Sequence, residues 1–257
     1  YNYDPTATLN YACDYGMSYV PDDNFEQALI DLGIDTDSTL NDSVATANIK
    51  FLTYLNVSYN NIVDLTGIED FDSLQTLYCS SNQLTTLDVS NNTALTYLNC
   101  QNNQLTTLDV SGNTALQTLS CSSNQLTTLD VSNNTALQTL YCYGNQLTTL
   151  DVSGNTALSQ LQCQNNQLTS LDLRNGNNMN MYSYSYSLNL TNNPQLYCID
   201  VDDATYSTAN WTVANGNISW YSGFSNNCAT AIYGCMDPLA YNYDPTATLN
   251  YACDYGM

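Results

Sequence analysis

Five cysteines recur every 21 residues, at Cys79, Cys100, Cys121, Cys142 and Cys163, and five aspartates keep step with them at Asp88, Asp109, Asp130, Asp151 and Asp172. Thiols and carboxylates are the groups from which metal centres and nucleophilic sites are made. Zinc sites draw Cys and His together in pairs, whereas one Cys per repeat forms a single file, and the chain has no histidine. These thiols therefore read as small buried hydrophobes. The carboxylates pose a harder problem. Stacked at roughly 5 Å, neighbours would repel by ~3 kcal/mol at an effective dielectric near 20. Either turn amides hold them or cations such as calcium bridge them; Asp88, Asp109, Asp130 and Asp151, with Asp237 and Asp244 further on, are the candidate ligands.

Other chemistry finds little footing. The sequence has no glycine-rich phosphate loop and no nucleophile elbow, and its single lysine is Lys50. Stacked identical carboxylates do not supply an acid and a base with different environments. The expectation is a non-enzyme that needs no cofactor. Formal net charge is -22, with Lys50 and Arg174 the only basic side chains, so nucleic acid and anionic membranes are poor partners. No apolar run approaches the roughly 20 residues of a membrane span, and no membrane insertion is expected.

The elements that position these columns follow from the repeat itself. Copies beginning at Leu74, Leu95, Leu116, Leu137 and Leu158 each follow L-x-x-L-x-C-x-x-N-Q-L-T-[TS]-L-D-[VL]. Within L-x-x-L-x-C a strand alternates its faces, so Leu77 and Cys79 point inward while Tyr78 points out. Each copy is then one turn of a solenoid, stacked on the next. Asn82, Asn103, Asn124, Asn145 and Asn166 fall where the chain leaves the strand, where a buried amide can bond the turn backbone and its neighbour. The outward positions form three rows: Thr76, Tyr97, Thr118, Thr139 and Gln160; Tyr78, Asn99, Ser120, Tyr141 and Gln162; Ser80, Gln101, Ser122, Tyr143 and Gln164. These rows vary while the inward ones do not, which suits a binding face and equally an unconstrained one. Tyr78, Tyr97, Asn99, Gln101, Tyr141, Tyr143, Gln162 and Gln164 are the candidate ligand contacts, with the neutral hydrogen-bonding character that suits a glycan or a protein.

The repeats resemble leucine-rich repeats, in particular the 21-residue, cysteine-bearing repeats of secreted bacterial proteins of the internalin type. The resemblance implies an α/β leucine-rich repeat solenoid, with parallel β on its concave face and little helix, at the cell surface or outside the cell.

The remaining segments read as caps and connectors. PDDNFEQALIDLG forms a helix with Asp23 as N-cap, Glu26 completing a capping box and Gly33 as the stop; Phe25, Ala28, Leu29 and Leu32 cover the first turn. Ile49 to Phe71 is an aberrant first repeat, with Val57 in the cysteine column and Asn60 in the asparagine column. After Leu171 comes an expanded last turn holding a Met181 to Ser187 insertion, whose Tyr182, Tyr184 and Tyr186 serve either adhesion or packing. NPQLYCIDVDD and the following STANWT resemble the C-terminal cap of secreted bacterial leucine-rich repeat proteins, which implies a Cys198 to Cys228 disulfide with Trp211 or Trp220 plugging the end. GCMDPLAYNYDPTATLNYACDYG resembles short cysteine-bounded repeats of marine surface proteins; too small for a core, it needs a Cys235 to Cys253 staple.

Residues 1–17 recur unchanged as 241–257, a period of 240 residues. The expected organisation is the C-terminal part of a connector (1–17), an N-terminal cap (18–48), the solenoid (49–197), a C-terminal cap (198–233) and a connector (234–257), in a parent of many such units. Cys13 would then be left without its partner. The expected function is a structural and adhesive repeat unit of a long secreted or surface-attached bacterial protein, with adjacent copies as partners and lateral association into a fibre. The alternative is a single-domain adhesin whose concave face binds a glycan or protein.

Overall fold

A computed structural model describes residues 16–181, 187–250 and 253–256. The expectations for Cys13, for the front copy of the repeated sequence up to residue 15, and for Tyr182, Tyr184 and Tyr186 lie outside the described residues. The chain opens with β1 (Met17–Tyr19), helix α1 (Asp23–Asp31), β2 (Ser43–Ala45) and the short helix α2 (Thr46–Ile49), β1 and β2 pairing antiparallel.

The α1 cap differs from expectation by one residue. Asp22, not Asp23, is the N-cap: its Oδ1 accepts the N–H groups of Asn24 and Phe25 at 2.9 Å. Its Oδ2 accepts those of Val63 and Asp64 at 2.8 and 3.0 Å, which ties the helix to the first solenoid turn. The shift takes Glu26 out of the capping-box position. Glu26 is instead fully buried, its carboxylate accepting the N–H groups of Asn41, Asp42 and Ser43, and such charge-assisted bonds are what make a buried carboxylate tolerable. Gly33, at φ +68°, ends the helix. Phe25, Ala28 and Leu29 are buried, Phe25 stacking on Phe71 with ring centres 6.4 Å apart. Leu32 is not part of that face: it lies past the last helical residue and is 51% exposed.

Each repeat then makes one turn of a parallel-strand solenoid. β3 (Tyr54–Asn56), β4 (Thr76–Tyr78), β5 (Tyr97–Asn99), β6 (Thr118–Ser120) and β7 (Thr139–Tyr141) come first along the chain, followed by β8 (Thr149–Asp151), β9 (Gln160–Gln162), β10 (Ser170–Asp172) and β11 (Leu188–Asn189). β3 to β7, β9 and β11 form one seven-stranded sheet. Its register aligns Leu55, Leu77, Leu98, Leu119, Leu140, Leu161 and Leu188 in one buried column. Fully burying each such leucine is worth about 1.5 to 3 kcal/mol, and no single turn can bury its own face. Val57 and Leu190 occupy the ends of the cysteine column, and both are buried. From Leu161 to its partner Leu188 the chain takes 27 residues instead of 21, the expanded turn.

The exit from each strand uses the left-handed backbone region. Ser81, Asn102, Ser123, Gly144, Asn165 and Asn192 all have φ between +54° and +66°. Each hands the chain to a buried asparagine. Asn103 Nδ2 donates to the carbonyls of Cys79 and Cys100 at 3.0 Å, and its Oδ1 accepts the Leu84 N–H at 3.0 Å. Asn82, Asn124, Asn145 and Asn166 repeat the pattern, and Asn193 extends it.

Roughly half a repeat further on, β8, β10, β12 (Cys198–Asp200) and β13 (Gly223–Ser225) form a second, four-stranded parallel sheet. Helix α3 (Ala204–Asn210) lies between β12 and β13, capped by Asp203. Trp211 closes the end, fully buried and edge-on to Phe224 at 5.6 Å. Trp220 does not plug the core; it precedes β13 in a turn and is 79% exposed. Cys198 is bonded to Cys228 and Cys235 to Cys253. The final segment carries β14 (Tyr233–Gly234) and β15 (Leu249–Asn250) and sits on the cap, Leu249 packing so closely over Gly223 that a Cβ there would meet it at 2.8 Å.

Candidate binding face

The sheet that begins at β3 brings the expected outward residues together. Tyr78, Asn99, Ser120, Tyr141 and Gln162 share one register row, and Thr76, Tyr97, Thr118, Thr139 and Gln160 share the next. The rows are longer than the five regular repeats indicated, because β3 adds Tyr54 and Asn56 and β11 adds Asn189. Seven strands offer about 29 Å of stacked face. No residue in these rows is charged, in a chain of net charge -22. Tyr54 and Asn56 were legible only as part of an irregular repeat; Asn189 follows the insertion, where the 21-residue spacing is lost.

Tyrosines build a ledge at the β3 end. Tyr54 and Tyr78 lie 5.8 Å apart between ring centres, and Tyr78 and Tyr97 lie 4.8 Å apart. Burial, followed by a hydrogen bond to Tyr78, pushes the Tyr97 hydroxyl up to about 12. Further along, the Tyr141 hydroxyl donates to Gln160 Oε1 at 2.6 Å, and burial also raises its pKa. Between the two tyrosine groups the face dips. Ser80, Ser120 and Ser122, expected among the outward residues, are buried, since a short side chain sinks below the Tyr and Gln of adjacent turns. Ser120 Oγ lies 3.3 Å from Gln101 Oε1, while Ser122 Oγ and Gln164 Oε1 have no hydrogen-bond partner among the described residues. Tyr143 is half-buried in the same row as Ser122.

The aspartate row is held by its own turns. Asp88, Asp109, Asp130 and Asp151 each accept, through Oδ1, the N–H of the serine two residues on at 2.9 Å. Hydrogen bonds from Ser90, Ser111 and Ser132 hold Asp88, Asp109 and Asp130 below the usual carboxylate range. The row runs on through Asp172 to Asp200, its register partner. There Arg174 bonds Asp172 at 2.5 Å and approaches Asp200 at 3.8 Å, so the protein's own cation bridges neighbouring carboxylates. Asp64, Glu69, Asp88 and Asp109 line a groove of about 650 Å³, yet Asp64, Glu69 and Asp88 each accept a backbone N–H as well. Asp237 accepts the Leu239 N–H and the Tyr255 hydroxyl, and Asp244 accepts both donors of Thr246. Asp23, Glu26 and Asp42 also approach one another, but both Glu26 oxygens already accept loop amides.

A second asparagine ladder went unread in the sequence. Asn92, Asn113, Asn134 and Asn155 are fully buried, and Asn113 Nδ2 donates to the carbonyls of Val89 and Asn92. Its signal is an Asn-Thr pair every 21 residues, which without a surrounding strand pattern looks like an ordinary loop. All five ladder thiols are buried, and burial raises their pKa values, to about 12 for Cys100 and Cys163. They are not poised as nucleophiles.

Parallel stacked strands, leucine columns and an asparagine at each exit define a leucine-rich repeat solenoid, and a family profile described as leucine-rich repeats in two copies matches residues 50–92, 93–134 and 114–155. Among individual proteins the chain is similar to Internalin J of Listeria monocytogenes serotype 4b (strain F2365), 38% identical over 75 residues that span 29% of this chain and 8% of that protein. A solved functional domain of InlJ from Listeria monocytogenes, which includes a cysteine ladder, is 37% identical with a TM-score of 0.55, covering 72% of this chain and 38% of its own. The internalin inlF from strain F2365 shares the fold at 22% identity and a TM-score of 0.56, over 72% of this chain and 52% of its own. The ectodomain of the Arabidopsis thaliana receptor kinase GASSHO1/SCHENGEN3, solved in complex with Casparian strip integrity factor 2, is 25% identical with a TM-score of 0.50, over 60% of this chain and 19% of its own. The chain thus spans well under half of the internalin J domain it matches.

Proposed function

We propose that this chain is a structural and adhesive repeat unit of a long tandem-repeat protein, secreted or held at a bacterial cell surface, whose units string together and associate laterally into a filament. The observation that carries this is the recurrence of residues 1–17 as 241–257 around a solenoid closed at both ends. The unit then comprises the N-terminal cap (18–48), the solenoid (49–197), the C-terminal cap (198–233) and the connector (234–257). Two disulfides suit an oxidising compartment outside the cell, and among the described residues no helix is long and apolar enough to cross a membrane. Varied, uncharged outward rows and carboxylates engaged by their own turns favour a non-enzymatic role. The mass of the native polypeptide and electron microscopy of the native material test the reading: many near-identical units and a regular axial repeat support it, and a single unit per chain overturns it.

A second reading rests on the uncharged face. A single-domain adhesin would take a neutral glycan or a protein there, with Tyr78, Tyr97, Asn99, Gln101, Tyr141, Tyr143, Gln162 and Gln164 as contacts. The plant ectodomain solved with its bound factor shows a related fold holding a ligand. Binding to a glycan or protein panel that is lost in Tyr78→Ala and Tyr97→Ala would favour it.

A further inference from the structure

We propose that consecutive units meet with no flexible linker, through an apolar joint in which the connector's Leu239 and Tyr241 rest on the β1 end of the following copy. The inference rests on the tandem reading. In a period of 240 residues Gly256 and Gly16 are the same position, seen once at the end of the connector and once at the start of the cap. Both copies are left-handed, at φ +68° and +72°, so one backbone conformation satisfies both settings.

Neither side leaves slack. On the connector side, the Gly256 N–H donates to Asp254 Oδ1 at 2.8 Å. Tyr241 N–H donates to the Asp254 carbonyl at 2.8 Å, and Asp254 N–H donates to Asn242 Oδ1 at 2.7 Å. Tyr255 is tied to Asp237 at 2.6 Å, and Cys253 is bonded to Cys235. On the cap side, the Gly16 carbonyl already accepts the Thr46 N–H at 2.7 Å, and β1 begins at the next residue. A single glycine therefore separates two anchored segments.

What surrounds that glycine is apolar and exposed. The Tyr241 ring lies against Gly256, where a Cβ would meet it at 2.4 Å. Tyr241 is 84% exposed and Leu239, two residues earlier, 87% exposed. On β1, Ser18 faces inward while Met17 and Tyr19 face out, Met17 being 42% exposed. Large apolar side chains on both sides of a linker-free junction are what a contact between successive copies would cover. The partner is the cap of a second copy.

The test is a protein of two consecutive units, with inter-unit angles measured by single-particle electron microscopy and small-angle scattering. We expect a narrow angular distribution that broadens severalfold when three residues are inserted after Gly256, and that also broadens in the Leu239→Ser, Tyr241→Ser double variant. Both side chains are exposed, so single units carrying these changes should melt like the parent. A two-unit protein as flexible as the insertion variant would overturn the joint, and a distribution unmoved by the double variant would overturn the apolar contact. The array reading fails separately, if the native polypeptide proves to hold one unit.

Discussion

The two sides of each solenoid turn use the same side-chain device, a buried asparagine amide, to different ends. On the strand side, Asn124 bonds with both ends of its amide: Nδ2 to the carbonyls of Cys100 and Cys121, and Oδ1 from the Leu105 N–H. On the other side, Asn134 donates to the carbonyls of Val110 and Asn113 while its Oδ1 has no hydrogen-bond partner among the described residues. The outward rows differ in the opposite sense. Aspartate recurs unchanged where each carboxylate closes its own turn, whereas the strand side varies among Tyr, Thr, Ser, Asn and Gln, and there it is Asn56, Asn99 and Asn189 that accept the N–H two residues on. The constant aspartates each carry an internal hydrogen bond, and most of the varied strand-side positions do not share one common bond.

The contrast can be broken at several strengths. The largest effect is expected for the ladder thiols: native protein should resist alkylation at Cys79, Cys100, Cys121, Cys142 and Cys163, because all are buried with raised pKa values, and all five should react once the chain is unfolded without reductant. Mass spectrometry of the alkylated chain reads the count. Next, Asn124→Ala strands the buried Leu105 N–H, the carbonyls of Cys100 and Cys121 keeping Asn103 and Asn145 as donors, and should cost about 2 to 3 kcal/mol in urea unfolding. Asn134→Ala strands no backbone group, since the carbonyls of Val110 and Asn113 keep the N–H groups of Asn113 and Leu116, and should cost ~1 kcal/mol. Equal losses would erase the distinction between the two ladders. Arg174→Ala, which leaves Asp172 and Asp200 unbridged at the surface, should cost ~1 kcal/mol or less in the same assay.

The aspartate row also fixes a pH dependence. Asp88, Asp109 and Asp130 are held below the ordinary value by serine hydrogen bonds, so the unfolded chain binds protons more readily. Their contribution is complete above about pH 4 and lost as the pH falls through the depressed values. Thermal melts across that range should show the decline, and a chelator should leave the neutral-pH melt unmoved if turn amides alone hold the row. The smallest effect on stability belongs to the varied face: Tyr78→Ala should shift the melt little while removing the tyrosine ledge, and any loss of ligand or fibre contact would be read against that unchanged fold.

The cysteine, leucine and strand-side asparagine columns were legible because each recurs every 21 residues inside a strand pattern, so spacing alone set its direction. The α1 cap is less legible, because the adjacent Asp22 and Asp23 offer the same local cap and only the first also reaches the amides of Val63 and Asp64. Trp211 and Trp220 could not be told apart for a similar reason: both follow the last repeat, and helix α3 decides which ring enters the core. Ser120 and Ser122 were placed on the face, but how far they sink depends on the larger side chains of neighbouring turns.

Periodicity by itself determined that this chain coils, which side chains line its interior and which it turns outward, since a repeat that cannot bury its own leucines must stack on its copies. The tertiary structure decided the ends and the surface: where a cap sits, which indole fills the last turn, how deep a serine lies, and that Arg174 answers the final aspartates. Those outcomes depend on contacts between residues 26 to 42 positions apart in sequence, which no local pattern encodes.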